Sequence, residues 1–474
     1  MWRNQQKSSN FNTSGLIQSL VITSDPQYPW TDCTDGASFQ DCNITTVSRC
    51  QNYSENDSMR EQRSEALIRE QYNNINSYMN TVPNGSVIIN GDVTAFGHEW
   101  QWNKMRLTLL PILNKPYYYG LGNHDITNNF NNCADNGCFK NSLNHLQAHI
   151  RSHNLPLSQF DYSARPIVTW AGVGERREGS FAYTLDFGNI CSIQLQHDPQ
   201  MDQFAGVTFG NSNEYHIFEN RTWIENQLRS ARASGKIIIV HVHSNDNLTT
   251  YHEKLFEQYG VVAIFSGHIH TSYGNNGFFG NIPKFRSGSA SQRTYLILEH
   301  FSDRLDIYAV NCNNWENNRQ LVRSIPIPEP PKFDGTFQIV TALNNSSVLN
   351  YERSNHKVIL WSNLENNYQR FNFMYDSSKD AYVIRMASNQ NQVLAWNVPS
   401  ADRHVFVTFG PTGDEHYWII ENFQDGYIFR NKKDPNLVLD VVNSAVGNGT
   451  NIIVHNRHPL NTTYRNQTFF IRPV

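Results

Sequence analysis

The sequence predicts an α/β half whose sheet layers are covered by helices, followed by an all-β half. Three observations carry that expectation. Between about residues 16 and 312, short apolar runs alternate with amphipathic stretches, the pattern of sheets packed under helices. At "SIPIPEPPKFDG" four prolines fall within 325–332, which predicts a stiff connector and a boundary. Beyond it "FQIV" at Phe337, "YVIR" at Tyr382 and "YIFR" at Tyr427 recur every 45 residues. A chain of 474 residues agrees with more than one domain, since it exceeds what a single core usually supports. The expected division is 16–324, a linker over 325–334, and 335–474.

In order along the first half, "LIQSLVITSD" reads as a strand ending at Asp25. The segment 57–80 has Leu67, Ile68, Tyr72, Ile75 and Met79 at helical spacing. "SVIINGD" is a buried strand, "GHEWQWNKMRLTLLPIL" a helix, "YYYGLGNHD" a strand then a turn, and "FKNSLNHLQAHIRSH" a helix. "SFAYTLDF" and "ICSIQLQHD" read as a strand pair joined by Gly188-Asn189, and "EYHIFENRTWIENQLRSA" as one long helix. "GKIIIVHVH" and "VVAIFSGHIH" are strands around the short helix "YHEKLFEQYG". "RTYLILEHF" and "DRLDIYAVN" close the half as an antiparallel pair. In the second half "VL" at Val348, Val393 and Val438 keeps the 45-residue period. Three such β-rich units cannot each bury a face alone, so they are expected to pack about a pseudo-threefold axis.

Polar, coordination-capable side chains recur where strands end. Asp25 follows "LVIT", Asp92 follows "VIIN", and Asn123 follows "YYYGLG". His243 follows "IIIVHV", and His268 with His270 follows "AIFSG". Open sheets place ligands at the carboxyl ends of their strands, so these six can share one mouth. A carboxylate on a central strand can bridge two cations, and imidazole with carboxylate or amide oxygen suits Zn, Mn, Fe or Ni. Two cations about 3.5–4 Å apart suit an in-line displacement at phosphorus.

"SDPQ", "NGDVTAFG", "GNHD", "HVHSN" and "SGHIH" occur in the order and rough spacing of the calcineurin-like metallophosphoesterase superfamily, which residues 16–312 resemble. The resemblance implies a two-sheet sandwich flanked by helices and a metal-dependent phosphoester hydrolase, a phosphomonoesterase or phosphodiesterase, with two divalent or trivalent ions. By position, Asp25 and His270 would bind the first metal, Asp92 would bridge, and Asn123, His243 and His268 would bind the second. His124 would protonate the leaving oxygen, and Asp125 would orient His124 and keep it protonated. The family usually has Asp-x-His at the first motif, where this chain has Asp25-Pro26-Gln27. An amide oxygen is a weaker, neutral ligand, which predicts a looser or harder first metal. His241 is the alternative to His243, since both point to one strand face. His98 and His197 are expected to be rim or surface residues rather than ligands, and "FRSGSASQ", 285–292, to lie near the mouth. Thr94 and Ala95 follow Gly-Asp where a purple acid phosphatase would have a Tyr ligand, which argues against that subclass.

The triple repeat resembles the ricin-type β-trefoil lectin domain. Gln369-x-Phe371 and Gln467-x-Phe469 match its signature, whereas the middle unit has Glu415-His416-Tyr417-Trp418. Carried over by position, only the third unit keeps a sugar-binding set, Asp440, His455 and Asn466-Gln467; Asn350 and Ala395 stand in for the Asp elsewhere.

A net charge of −4 with no basic block argues against nucleic acid as the main partner. No apolar stretch approaches the roughly 20 residues that span a bilayer. Five of seven cysteines lie in "DCTDGASFQDCNITTVSRC" and "NCADNGC", with no CxxC, so short disulfide-closed loops and secretion are expected. Sequons at Asn43, Asn52, Asn56, Asn84, Asn220 and Asn247 agree. The expected partners are a phosphoester and, through the second half, glycans. The rival expectation is a glycan-binding or toxin-like protein with a vestigial phosphoesterase half.

Overall fold

Leu20 and Ile22 turn to one side of the strand Gln18–Thr23 and Val21 to the other, as a period of two requires, and all three are buried. Both faces of this strand are therefore covered, which is why it reads as a continuous apolar run. The computed structural model describes residues 15–36, 42, 50, 55–209, 211–233, 235–327, 333, 335–376, 378–397, 402–423, 426–458 and 465–474. The chain divides into two compact units, Met1–Leu228 with Ile237–Pro328 and Arg229–Lys236 with Glu329–Val474.

In the first unit, Gln18–Thr23 runs parallel to Gly85–Ile89, which runs parallel to Tyr117–Tyr119. On its other side come Tyr295–His300, Arg304–Val310 and Arg319–Pro326, each antiparallel to the last. A second six-stranded sheet runs, in spatial order, Tyr273–Phe279, Ile282–Ser287, Val261–Ser266, Ile237–His241, Ile190–Gln194 and Tyr183–Phe187. Leu20, Ile22 and Leu298 of the first sheet meet Ile239, Phe265 and Phe285 of the second in one buried cluster. The opposite face of the first sheet, through Val21, Val87 and Ile89, packs with Ile68, Tyr72 and Ile75 of the helix Asp57–Met79 and with Leu143 of the helix Gly137–Ser152. Asp57–Met79 starts where Asn56 caps it, its side chain accepting the Met59 N–H at 3.0 Å.

Two expected helices differ. Glu214–Ile217 is a strand, and the helix Arg221–Ala233 begins only after Asn220, which accepts the Trp223 N–H at 3.0 Å. Tyr215 and Ile217 are buried on alternate positions, so the local period is two rather than 3.6. That strand completes a four-stranded sheet with Ser163–Thr169, Gly172–Gly179 and Gln203–Ala205. The hairpin 163–179 is mostly exposed and so carries no apolar alternation to read. The stretch 98–113 is α-helical only over Glu99–Lys104 before a π-turn and a short 3₁₀ turn, because Pro111 supplies no N–H.

Each repeat of the β-rich second unit holds four strands, joined among the described residues in one twelve-stranded sheet. Ile339, Ile384 and Phe429, and likewise Leu349, Leu394 and Leu439, sit 45 residues apart and are all fully buried. Before the last strand of each unit comes a 3₁₀ turn, Asn367–Gln369, Asp414–His416 or Arg465–Gln467. Its final side chain points inward: Gln369 accepts the Leu364 N–H at 2.7 Å and donates to the Ser362 carbonyl at 2.9 Å. Gln369→Ala leaves both backbone groups without this partner and is expected to lower the unit's stability by about 1–3 kcal/mol, read from denaturant midpoints.

Cys33–Cys50 and Cys133–Cys138 close short loops, but Cys42–Cys312 spans 270 residues and ties the loop after the first strand to the far end of the unit. Cys191 is buried in the core. Of the expected linker, Ile325 and Pro326 pair with Leu305 and Arg304, while 328–332 and 334 lie outside the described residues. Asn43 and Asn52 also lie outside them. No helix among the described residues is long and apolar enough to cross a membrane.

Candidate metal centre

Parallel neighbours end at the same edge of a sheet, so the turns after Gln18–Thr23, Gly85–Ile89 and Tyr117–Tyr119 deliver Asp25, Asp92 and Asn123 to one place. Ile237–His241 and Val261–Ser266 are also parallel and deliver His243, His268 and His270 from the second sheet. The backbone is bent hard to do this. Asp25, Gln27, Asp92 and His268 have φ of 52°, 42°, 48° and 70°. Each left-handed residue costs about 1–3 kcal/mol, and such strain concentrates at functional sites. Glycines let the turns meet. A Cβ on Gly91 (φ 90°) would lie 2.8 Å from His243 Nδ1, and one on Gly122 would strike the Asp92 carboxylate.

Two groups of donors result. Asp25, Asp92 and His270 place ligand atoms within 4.8 Å of one another, and so do Asp92, His243 and His268; Asp92 belongs to both. His270 Nε2 lies 3.2 Å from Asp25 Oδ1, and His243 Nε2 lies 3.1 Å from Asp92 Oδ2. Asn123 Oδ1 stands 3.0 Å from His243 Nε2 and 2.9 Å from His268 Nδ1. Burial works against charge on His243, but Asp92 and Asp25 raise its ring to about 9. Burial opposes charge on His270 too, and its bonds to Asp25 and Asp35 raise it to about 11. The cage thus favours positive charge, which protons or metal ions can supply. The buried Gln27 side chain has no hydrogen-bond partner, which leaves its Oε1 free to act as a ligand atom. Two carboxylates, amide oxygens and three imidazoles are a donor set suited to a pair of transition-metal cations.

His241, the sequence alternative, is in neither donor group. Its Nδ1 bonds Asn90 Oδ1 at 3.0 Å, its ring stacks on Phe265, and burial depresses it to about 3. His197 is half-buried beside the centre and belongs to neither donor group; its ring centroid is 5.7 Å from that of His243 and its Nδ1 has no hydrogen-bond partner. His124 lines a cleft of about 300 Å³ with Trp30, Asp92, His268 and His270.

Asp125 departs from the expected role. Its carboxylate accepts the N–H groups of Val93, Thr94 and Gly122 at 3.0, 2.9 and 3.0 Å and the Thr94 hydroxyl at 2.8 Å. His124 instead has its Nδ1 3.0 Å from the Ala95 carbonyl, and its backbone N–H donates to Asp92 Oδ1 at 2.8 Å. The tight turn aims neighbouring side chains apart, so Asp125 clamps the two loops and does not touch the imidazole. Asp35, absent from the sequence-predicted set, bonds His270 Nδ1 at 2.6 Å and is fixed by Trp30 and Gln292. Gln292 comes from the 285–292 stretch expected near the mouth.

In the second unit Asp440 accepts from Asn466 Nδ2 at 2.9 Å and Gln467 Nε2 at 2.8 Å. His455 and the unpredicted His458 stand beside it. Gln467 differs from the expected sugar contact: it is buried, accepts the His458 N–H and donates to the Asn456 carbonyl, so it clips a loop as Gln369 does.

A family model described as calcineurin-like phosphoesterase matches residues 20–272, and one described as ricin-type beta-trefoil lectin domain-like matches 367–455. The main hemagglutinin component type C of Clostridium botulinum C phage is 30% identical over 124 residues, 26% of this chain and 43% of that protein. Pierisin of Pieris brassicae is 26% identical over 148 residues, 30% of this chain and 17% of its own length. The chain thus spans less than half the length of these curated relatives. Among solved structures, a mosquitocidal holotoxin aligns at 22% identity over 40% of this chain and 25% of its own, with a TM-score of 0.28. The C-half of an earthworm R-type lectin in complex with GalNAc aligns at 23% identity over 29% of this chain and 98% of its own, with a TM-score of 0.23.

Proposed function

The chain belongs to the calcineurin-like phosphoesterase family, and from that membership we propose that it is a dinuclear metal-dependent phosphoester hydrolase. One observation carries the reading: two donor groups share Asp92. Asp25, Gln27 and His270 would hold one cation, Asn123, His243 and His268 the other, with Asp92 between them. When bound, such a pair supplies Lewis acidity and an activated water. The protein's own part is to fix the substrate and move a proton. With Nδ1 engaged by the Ala95 carbonyl, His124 keeps Nε2 for the leaving oxygen. Asp125 holds the His124 turn against Val93 and Thr94, and Asp35 sets the ring of His270. Backing of this kind orients a ligand imidazole.

The C-terminal unit, read as a β-trefoil, would bind a glycan at Asp440, Asn466 and His455 and so localise the enzyme. Three disulfides support an extracellular setting. The name hemagglutinin on one relative favours a second reading, a glycan-binding protein whose phosphoesterase half is inactive. Metal analysis with turnover of nitrophenyl phosphomonoester and diester separates the two. The hydrolase reading expects two metal equivalents, and His124→Ala slowing turnover by about 10²-fold at unchanged metal content. A folded, glycan-binding protein without metal or turnover would sink it.

A further inference from the structure

Next to the metal cleft lies a larger one of about 610 Å³, and Trp30 lines both. Its indole stands edge-on to His124 and to His270, with centroids 5.2 and 5.8 Å away. Ala95, whose carbonyl meets His124, lines the larger cleft too. Trp30 is therefore a wall shared by this cleft and the one that His124 lines, where a leaving group takes its proton.

The walls are aromatic and acidic. Phe96, His98 and Trp100 form a stack, with centroids 5.4 and 6.5 Å apart, and Trp100 is 47% exposed although it faces a cavity. Glu55 has a side chain only 6% exposed, and its Oε1 has no hydrogen-bond partner. Arg63 lies 3.6 Å from that oxygen but is bidentate to Asp32. Glu61 meets only the Tyr28 hydroxyl, at 3.4 Å, among its described hydrogen bonds. Arg60 also lines the cleft, and Asp57 offsets it at 3.6 Å. With Arg63 shared between Asp32 and Glu55, negative charge is left in excess beside the exposed indole of Trp100, surroundings that select an organic cation over a neutral or anionic group.

We propose that the alcohol side of the phosphoester occupies this cleft and carries a protonated amine or quaternary ammonium. The inference rests on the phosphoester reading above. Water adds to phosphorus, the bond from phosphorus to the alcohol oxygen breaks with its electron pair on oxygen, that oxygen takes a proton from His124, and the proton that the attacking water loses restores His124. The products are phosphate and the cationic alcohol.

The test uses the full chain loaded with metal and two substrates of one shape, phosphocholine and its neutral carbon isostere 3,3-dimethylbutyl phosphate. The expected kcat/KM preference for phosphocholine is about tenfold or more, falling towards parity in Trp100→Ala and in Glu61→Gln. A second reading titrates choline or 3,3-dimethylbutanol into the metal-free protein and follows tryptophan fluorescence; only choline should quench, and Trp100→Ala should abolish it. Turnover with no cation preference, or a preference that survives Trp100→Ala, overturns the proposal. Absence of all turnover with choline-selective quenching intact sinks the hydrolase reading and supports the cleft assignment; absence of both sinks both.

Discussion

Asp92→Asn is expected to bind at most one metal equivalent and to lose about 10³-fold or more in turnover, while folding normally. The substitution keeps shape and removes one charge. Asp92 is 1% exposed, and burial opposes its charge, yet His243 and the His124 N–H hold its carboxyl well below the ordinary carboxylate range. It is the one residue common to both donor groups, so its loss weakens both sites together. Charge stabilisation by bound cations is worth several kcal/mol, and three powers of ten correspond to about 4 kcal/mol. The metal-free variant should be less stable than the parent, because a carboxyl held below its ordinary range stabilises the fold through its charge. Asp25 and Asp125 stand close to Asp92 in a buried site, and the charge of Asp92, after burial, lifts the carboxyl of Asp125 to about 7. Relief at Asp125 offsets only part of the attraction to His243 that is lost. Elemental analysis, steady-state turnover and denaturant unfolding check the three parts; a variant with two metals and full activity would refute the bridging assignment.

The residues that could be read from sequence are those whose position is fixed by a strand end. Asp25, Asp92, Asn123, His243, His268 and His270 each follow an apolar run, and parallel pairing alone brings them together. What escaped reading was set by contacts remote in the chain. Asp35 sits in a cysteine-rich turn and meets His270 across 235 residues, a relation no local spacing encodes. Strand alternation could not separate His241 from His243, because both share a face; Asn90 separates them by holding the first. Adjacency misled at Asp125, where the turn sends neighbouring side chains in different directions. In the second unit the 45-residue period was legible because the same buried positions recur in each repeat. Gln467 was misread because its signature marks a loop clip before it marks a sugar site.

Gly122→Ala should be as damaging as loss of Asp92, by a different route. A methyl group there would overlap the Asp92 carboxylate and sit 2.5 Å from the Asp92 backbone nitrogen. Both neighbours are immobile: Asp92 accepts the His124 N–H, and the turn of Gly122 is pinned by its own N–H bond to Asp125. The collision can be relieved only by moving the 120–125 turn away from the 90–94 turn, which separates Asn123 and His124 from Asp92. Overpacking of this kind costs about 1–3 kcal/mol, and a shift of about 1 Å at reacting groups costs about 10²-fold in rate before any loss of metal is added. Gly137 is the contrasting position. It opens the helix Gly137–Ser152, an added Cβ meets nothing within 4 Å, and its φ of −57° suits any residue. Gly137→Ala is therefore expected to be neutral or to stabilise by up to about 1 kcal/mol with turnover unchanged. Unfolding midpoints and metal content measured on the two alanine variants together separate a general intolerance of the fold from the close approach of two backbone turns. Equal, mild effects at both positions would mean that Asn123 and His124 are not held against Asp92 by this contact.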